Sequence, residues 1–182
     1  MRDARGLTMC GIVGILGKGA AAPRLVEALK RLEYRGYDSA GVATLEYGEL
    51  RRVRAEGKLR NLEAKLSDRP LEGAIGIGHT RWATHGKPTE TNAHPHASER
   101  LAVVHNGIIE NFRVLREELA AKGYRFATET DTEIAAFLVT DGLNSGLSPA
   151  EAVHAALQRM RGAFALVYLF KGEDNLLIGA RQ

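Results

Sequence analysis

Residues 9–17 read Met9-Cys10-Gly11-Ile12-Val13-Gly14-Ile15-Leu16-Gly17 and contain the only cysteine of the chain, directly after a methionine. If translation starts at Met9 and this methionine is removed, or if a leader is cleaved, Cys10 becomes the first residue and carries a thiol beside a free α-amine. A thiol has a pKa of about 8.5 and an α-amine one of about 7.7 to 8.0, so the amine can accept the thiol's proton near neutral pH. The apolar run after Cys10 predicts a buried strand that holds this nucleophile. The alternative interpretation is a small buried hydrophobic side chain, the usual role of a single cysteine.

The composition is that of an ordinary globular protein. Of the 182 residues, 45% are hydrophobic and 26% are charged, which suits one domain or a large fragment of one. The 25 Lys and Arg residues exceed the 22 Asp and Glu residues by only three and are spread along the chain. We therefore expect no nucleic-acid partner.

Nothing in the sequence predicts export or membrane insertion. A single cysteine cannot form an internal disulfide, and no run of eighteen apolar residues is present. Three glycines and Lys18 interrupt the first apolar run, which makes it a poor signal peptide. We expect a cytoplasmic protein without a membrane partner.

Hydrophobic periodicity predicts a mixed order of strands and helices. The predicted strands lie at 12–16, 42–45, 51–54, 74–82, 101–104, 163–170 and 175–180, and the predicted helices at 23–34, 59–66, 112–122, 130–144 and from 148 onward. Because this order lacks the regular alternation of a doubly wound sheet, it favours an α+β layered fold.

Histidines are concentrated in one part of the chain. Five of the six lie between positions 79 and 105, namely His79, His85, His94, His96 and His105. Two of them with a third histidine and water could form a catalytic zinc site. No His-Glu-x-x-His or Cys-x-x-Cys spacing fixes such ligands, and histidines in a loop such as 83–100 often only hold backbone carbonyls.

The tripeptide His105-Asn106-Gly107 has two interpretations. Between apolar runs, Asn-Gly is the strongest short-range hairpin signal in the chain. A tight turn could also direct the Asn106 side-chain amide and the Gly107 N–H towards one point, and two such donors form an oxyanion hole.

Arg81 and Asp131 could bind the two charged ends of a free amino acid. A guanidinium fork grips a carboxylate, and a carboxylate grips an ammonium. Arg81 ends a predicted strand, and Asp131 lies at a helix start that Thr130 and Glu133 mark as a capping box. The alternative is that Arg81 extends to solvent and Asp131 only complements its helix N-terminus.

Taken together, six stretches in the same order resemble one family. They are 9–14, 32–41, 79–86, 92–96, 105–111 and 129–133. The chain is similar, from Met9 to its last residue, to the glutaminase domain of the glucosamine-6-phosphate synthase family, a class II glutamine amidotransferase with an N-terminal nucleophile. The Tyr-Arg-Gly-Tyr-Asp-Ser-Ala-Gly segment at 34–41 favours this family over the related amidophosphoribosyltransferases.

The resemblance implies a four-layer αββα sandwich of the N-terminal-nucleophile hydrolase type. It implies hydrolysis of L-glutamine to glutamate and ammonia, with no cofactor and no metal, and transfer of the ammonia to fructose 6-phosphate in a full-length homodimer. By resemblance, Cys10 is the nucleophile and Asn106 and Gly107 form the oxyanion hole. The remaining assignments are substrate binding by Arg81, Asp131, Thr84, His85 and His94, gating of ammonia by Trp82, and support of the nucleophile by Arg35.

Two departures from the family's pattern bear on domain organisation. Residues 1–9 form an extension or propeptide-like leader that we expect to be absent from the active form, since the α-amine of Cys10 is an amide while they are attached. Residues 10–182 are expected to be an amidotransferase domain that is incomplete at its C-terminus, without the isomerase domain and with an exposed sheet edge that lowers stability. A zinc hydrolase, the glutaminase domain of another class II amidotransferase and a silent glutamine-binding domain remain as alternatives.

Overall fold

The computed structural model describes residues 10–32, 36–82 and 89–182, which contain eight strands and five helices. In chain order these are β1 (Gly11–Leu16), α1 (Ala21–Lys30), β2 (Ser39–Glu46), β3 (Glu49–Glu56), α2 (Leu59–Asp68), β4 (Ile75–Arg81), β5 (His96–Ala97), β6 (Leu101–Ile109), α3 (Phe112–Ala121), α4 (Thr132–Asn144), α5 (Pro149–Arg159), β7 (Gly162–Phe170) and β8 (Leu177–Arg181). Every strand and helix predicted from periodicity has a counterpart, and only the two-residue β5 was not predicted. In the described ranges, none of the helices combines the length and apolarity that crossing a membrane requires.

The strands form two antiparallel sheets of four strands each. The first has the order β1-β4-β2-β3 and the second the order β5-β6-β7-β8. Strand β4 lies inside the first sheet, where it pairs with β1 on one side and β2 on the other, and all of its residues are buried. Position 81, at the end of β4, is therefore fixed by its pairing with Ser39 of β2.

Apolar side chains divide the protein into four layers. Between the two sheets, Ile77 and Ala43 of the first sheet pack against Val104 and Leu169 of the second. Helices α1 and α2 cover the outer face of the first sheet, and α3, α4 and α5 cover the outer face of the second. This arrangement confirms the predicted α+β fold with αββα layers.

Two glycines of β4 allow α1 to approach the sheet closely. A Cβ atom at Gly76 would lie 3.1 Å from Leu25 Cδ1, and one at Gly78 would lie 3.2 Å from Leu29 Cδ1. Both leucines are completely buried. Side chains in β4 would push this helix away, so the glycine spacing is a packing requirement.

The predicted hairpin at Asn106-Gly107 is wrong. Strand β6 runs straight through this dipeptide, with Asn106 opposite Ala165 and Gly107 opposite Phe164. The nine-residue pairing of β6 with β7 outweighs the local turn preference of Asn-Gly. Gly107 has a φ of 114°, and a Cβ at this position would clash with the Ala163 carbonyl oxygen, so glycine is needed here for close approach of the strands.

The predicted capping box of Thr130 and Glu133 is also wrong. Helix α4 begins at Thr132, with Asp131 at the N-cap position and no side-chain capping bond. The Glu133 carboxylate instead accepts the backbone N–H groups of Ala127 and Thr128, both at 2.9 Å. It thereby fixes the segment before the helix rather than the helix terminus.

Candidate active site

Cys10 lies at the start of β1, where the pairing with β4 fixes its position. Its Sγ accepts a hydrogen bond from the Trp82 N–H at 3.1 Å. The next residue, Gly11, donates its N–H to Thr80 Oγ1 at 3.1 Å. A Cβ at Gly11 would lie 2.7 Å from Leu32 Cδ1, so the residue after the cysteine must be small.

The thiol is in an environment that favours its protonated form. Burial raises the pKa of Cys10, and the Trp82 N–H and the Arg81 guanidinium offset part of that rise. A thiolate, not a thiol, is the nucleophile. Reaction at neutral pH therefore needs a base next to the sulfur.

The second sheet contributes hydrogen-bond donors to the same place. The Asn106 side chain donates from Nδ2 to the Cys10 carbonyl oxygen at 2.8 Å, and its Oδ1 lies 2.8 Å from His79 Nε2. Gly107, the next residue of β6, lines the same cavity. The proposed nucleophile and the predicted oxyanion donors thus come from different sheets and meet at one end of the sandwich.

Arg81 and Asp131 are both buried beside this cavity, each with 4% of its surface exposed. The Arg81 guanidinium lies 4.0 Å from Asp38 Oδ1, and burial lowers the pKa of Arg81. Asp131 Oδ2 accepts the Ile109 N–H at 2.9 Å, so the carboxylate holds a strand rather than its helix. The interpretations of Arg81 as a solvent-exposed side chain and of Asp131 as a mere helix cap are therefore wrong.

Four histidines form a buried stack, and three of them, His79, His94 and His105, line the cavity. The rings of His79 and His94 are stacked with centroids 4.2 Å apart, and His96 and His105 pack against His94. Burial lowers the pKa of His79 to about 3 and holds those of His94 and His96 well below their usual value. These three rings are therefore neutral at physiological pH.

Hydroxyl groups beside Asp131 bind several of these rings. Thr132 Oγ1 lies 2.9 Å from His105 Nδ1 and 3.2 Å from His94 Nε2, and Thr130 Oγ1 lies 3.2 Å from His96 Nε2. The His79 and His94 rings are stacked face to face, whereas His96 meets His94 edge-on. Within the described ranges, no group of three or more His, Cys, Asp or Glu residues is arranged to hold a metal ion.

Two arginines of β3 hold the segment that carries His94. The Arg54 guanidinium donates to the carbonyl oxygens of Thr91 and Ala93 at 2.8 and 2.9 Å, and Arg52 donates to that of Pro95 at 2.9 Å. These hydrogen bonds hold the segment against the first sheet and so place His94 at the cavity.

Most of the predicted site residues meet at one cavity of about 40 Å³. Its lining comprises Cys10, His79, Arg81, Trp82, His94, His105, Asn106, Gly107, Thr130, Asp131 and Thr132. Arg35, Thr84 and His85 lie outside the described residues. The sequence predicted Thr130 only as part of a capping box and His79 only as one of the clustered histidines that could bind zinc, and it assigned no role to Thr132. The spacing of two between His79 and Arg81, which places both on one face of β4, is the signal that could have identified His79.

Comparison with known proteins gives consistent results. Residues 79–182 match the family described as a glutamine amidotransferase domain. The chain is 68% identical over 174 residues to a glutamine–fructose-6-phosphate aminotransferase (isomerizing) of Bradyrhizobium diazoefficiens, and 65% identical over 174 residues to that of Mesorhizobium japonicum. Each match covers 96% of this chain and 29% of the relative.

Among solved structures, the glutamine phosphoribosylpyrophosphate amidotransferase of B. subtilis matches 94% of this chain and 37% of its own, with a TM-score of 0.79 and 27% identity. This likeness confirms a sandwich of the N-terminal-nucleophile type.

Proposed function

The chain belongs to the glutamine amidotransferase domain family, and from that premise we propose that it hydrolyses L-glutamine to glutamate and ammonia with Cys10 as the nucleophile. One observation carries the proposal. Cys10, the Asn106–Gly107 pair and the charged residues Arg81 and Asp131 all line the same cavity. A nucleophile, an oxyanion site and a grip for a free amino acid are the parts that this reaction needs.

The reaction follows from these groups. The Cys10 thiolate attacks the side-chain amide carbon of glutamine, and the amide oxygen takes the negative charge within reach of the Asn106 amide and the Gly107 N–H. The C–N bond breaks, the nitrogen takes a proton and ammonia leaves, so that a γ-glutamyl thioester remains. Water then attacks the thioester, which releases glutamate and restores the thiol.

The amino-acid end of the substrate is bound by opposite charges. Arg81 holds the α-carboxylate and Asp131 holds the α-ammonium, while Thr84, His85 and His94 shape the pocket. Trp82, which is 44% exposed at the mouth of the cavity, gates the ammonia, and Arg35 supports the nucleophile.

The base is the α-amine of Cys10 itself. This assignment requires that residues 1–9 are removed, either because translation starts at Met9 and the methionine is cleaved or because a leader is processed. Nearby histidines are poor substitutes, since burial keeps the pKa of His79 and His94 too low for them to hold a proton at neutral pH.

The relatives suggest the destination of the ammonia. The chain spans 29% of the length of the fructose-6-phosphate aminotransferases that it matches. We infer that residues 10–182 act as the amidotransferase domain of a longer cytoplasmic, homodimeric enzyme, whose isomerase domain uses the ammonia to convert fructose 6-phosphate to glucosamine 6-phosphate.

The test combines turnover with labelling. A diazo-ketone analogue of glutamine should modify one residue, Cys10, in a chain whose intact mass begins at Cys10, and this form should release ammonia from glutamine. Cys10→Ala should abolish both. Labelling of another residue, or ammonia release that survives Cys10→Ala, would refute the proposal. If the protein contains stoichiometric zinc and a chelator abolishes its activity, the zinc hydrolase would be favoured instead.

A further inference from the structure

His79 contacts the Asn106 side chain, and the reaction proposed above gives it no role of its own. It is completely buried in β4, with Ile12 of β1 and Gly41 of β2 opposite it in the flanking strands. Its Nε2 lies 2.8 Å from Asn106 Oδ1. This contact bears on the orientation of the Asn106 amide.

A side-chain amide has two chemically different ends. The oxyanion of the proposed reaction needs the NH₂ end, and a flip of the amide would offer an oxygen instead. The Cys10 carbonyl is only an acceptor, so the Asn106 atom that lies 2.8 Å from it must be Nδ2. Oδ1 then faces His79, and His79 Nε2 must be the donor.

The imidazole can make this donation in only one form. Burial lowers the pKa of His79 to about 3, so the ring is neutral and carries a single N–H. That proton lies on Nε2, and Nδ1 has no hydrogen-bond partner among the described residues. With the proton on Nε2, a flipped Asn106 would place two donors against each other at His79 and two acceptors against each other at Cys10. Moving the proton to Nδ1 would relieve only the first of these clashes, and the two acceptors at Cys10 would still cost about 1–3 kcal/mol for each unpaired buried group.

The ring is itself held in place. His94 stacks on it at 4.2 Å with an interplanar angle of 20°. Both nitrogens of His94 are engaged, since Nδ1 accepts the His105 backbone N–H at 3.3 Å and Nε2 contacts Thr132 Oγ1. Rotation of His79 would break both its contact with Asn106 and its stacking on His94.

We propose that His79 is a positioning residue that locks the Asn106 amide with its NH₂ group towards the reacting centre. This inference rests on the proposed function and adds to it a residue that acts through Asn106. Burial lowers the pKa of His79 to about 3, which makes the ring a weak general base at neutral pH.

The test is a double-mutant cycle on ammonia release, with all variants made in the full chain and prepared like the wild type. His79→Leu should lower kcat about 10- to 100-fold and leave KM for glutamine within about threefold, because Arg81 and Asp131 are untouched. His79→Gln, whose side-chain N–H reaches about as far as Nε2, should restore most of kcat. In an Asn106→Ala background, His79→Leu should add less than about a twofold loss.

Equal losses from His79→Leu in both backgrounds would show a merely structural role and overturn the proposal. If His79→Leu fails to fold, His79→Gln and His79→Asn make the same comparison, since the shorter amide cannot reach Asn106. If Asn106→Ala itself leaves ammonia release unchanged, the oxyanion assignment in the proposed function fails.

A second readout does not depend on turnover. Nitrogen-15 NMR of the histidine rings should show His79 with its proton on Nε2, in slow exchange with solvent, and faster exchange in Asn106→Ala. A proton on Nδ1 would overturn the proposal even in an active enzyme, and its presence on Nε2 would support it even if glutamine is not the substrate.

Discussion

The backbone N–H of Trp82 donates a hydrogen bond to Cys10 Sγ at 3.1 Å. Trp82 directly follows β4, and β4 is paired with β1, which begins after Cys10. One strand pairing therefore sets both the position of Cys10, the proposed nucleophile, and the donor that would stabilise its thiolate. The pKa of Cys10 is nevertheless raised, because burial outweighs this bond.

The raised pKa predicts slow alkylation of Cys10 at neutral pH in the full chain. Because the thiolate forms only at higher pH in the folded chain, the midpoint of the pH dependence of the iodoacetamide reaction rate should be higher in the folded chain than in the same chain unfolded in urea. The profile is measured from pH 6 to 10 by intact mass. A native midpoint at or below the unfolded one would contradict the pKa direction.

Gly107→Ala should damage both stability and activity. The new Cβ clashes with the Ala163 carbonyl and the residue has a φ of 114°, so we expect a loss of about 2–4 kcal/mol in the free energy of unfolding. Gly123→Ala is the matched control, because its φ of 95° is also positive but its Cβ would meet open space. Strain alone should cost it about 1 kcal/mol. Equal losses in urea unfolding would show that the close approach of β6 and β7 is unimportant.

Asp131→Asn should weaken substrate binding more than chemistry. The amide oxygen can still accept the Ile109 N–H, but the charge that we propose binds the α-ammonium is lost. We expect KM for glutamine to rise about 10- to 100-fold with kcat within about threefold, as for a lost hydrogen bond to a charged group. Glu173→Gln, an exposed change of the same charge, is the control. A fall in kcat without a change in KM would place Asp131 in another role.

The buried histidines predict acid sensitivity. The pKa values of His79, His94 and His96 are all lowered in the folded chain from an ordinary value of 6.5. Above about pH 6.5 these histidines are neutral in both the folded and the unfolded chain and cost no free energy of unfolding. As the pH falls below this value, the free energy of unfolding decreases, because the unfolded chain takes up protons that the folded chain does not. With three such groups, the loss should approach about 4 kcal/mol per pH unit near pH 5.5.

Urea unfolding between pH 7.5 and 5.5 measures this slope. His154→Gln removes an exposed histidine and should leave the slope unchanged. A free energy of unfolding that stays constant over this range would mean that the histidines take up protons in the folded state.

The elements and the site residues differ in how far the sequence predicts them. Strands such as β4 and β7 follow from apolar runs, because burial of those side chains is what forms the sheets. Asn106-Gly107 was misassigned as a hairpin since its local preference is strong, and only the distant partner β7 reveals a continuous strand. Sequence preferences of neighbouring residues carry no information about that long-range strand pairing.

The chemistry of the site was only partly predictable for a related reason. Cys10, Arg81 and Asp131 could be singled out because each has a residue type suited to one step of a reaction. The contact of His79 with Asn106 joins residues that are far apart in the sequence and lie in different sheets, so no spacing signals it. The contacts of Thr130 with His96 and of Thr132 with His94 likewise join distant parts of the chain.

The apolar layer between the two sheets also sets the separation of the site residues that the two sheets position. Cys10 directly precedes a strand of one sheet and Asn106 lies in the other, so the thickness of the layer formed by residues such as Ile77, Val104 and Leu169 sets the distance between the proposed nucleophile and the proposed oxyanion donors. A truncation in this layer, remote from the cavity, would let the sheets slide or close up. The geometry of the proposed site thus depends on how the two sheet faces are registered, and it can be lost without any change to a residue of the cavity.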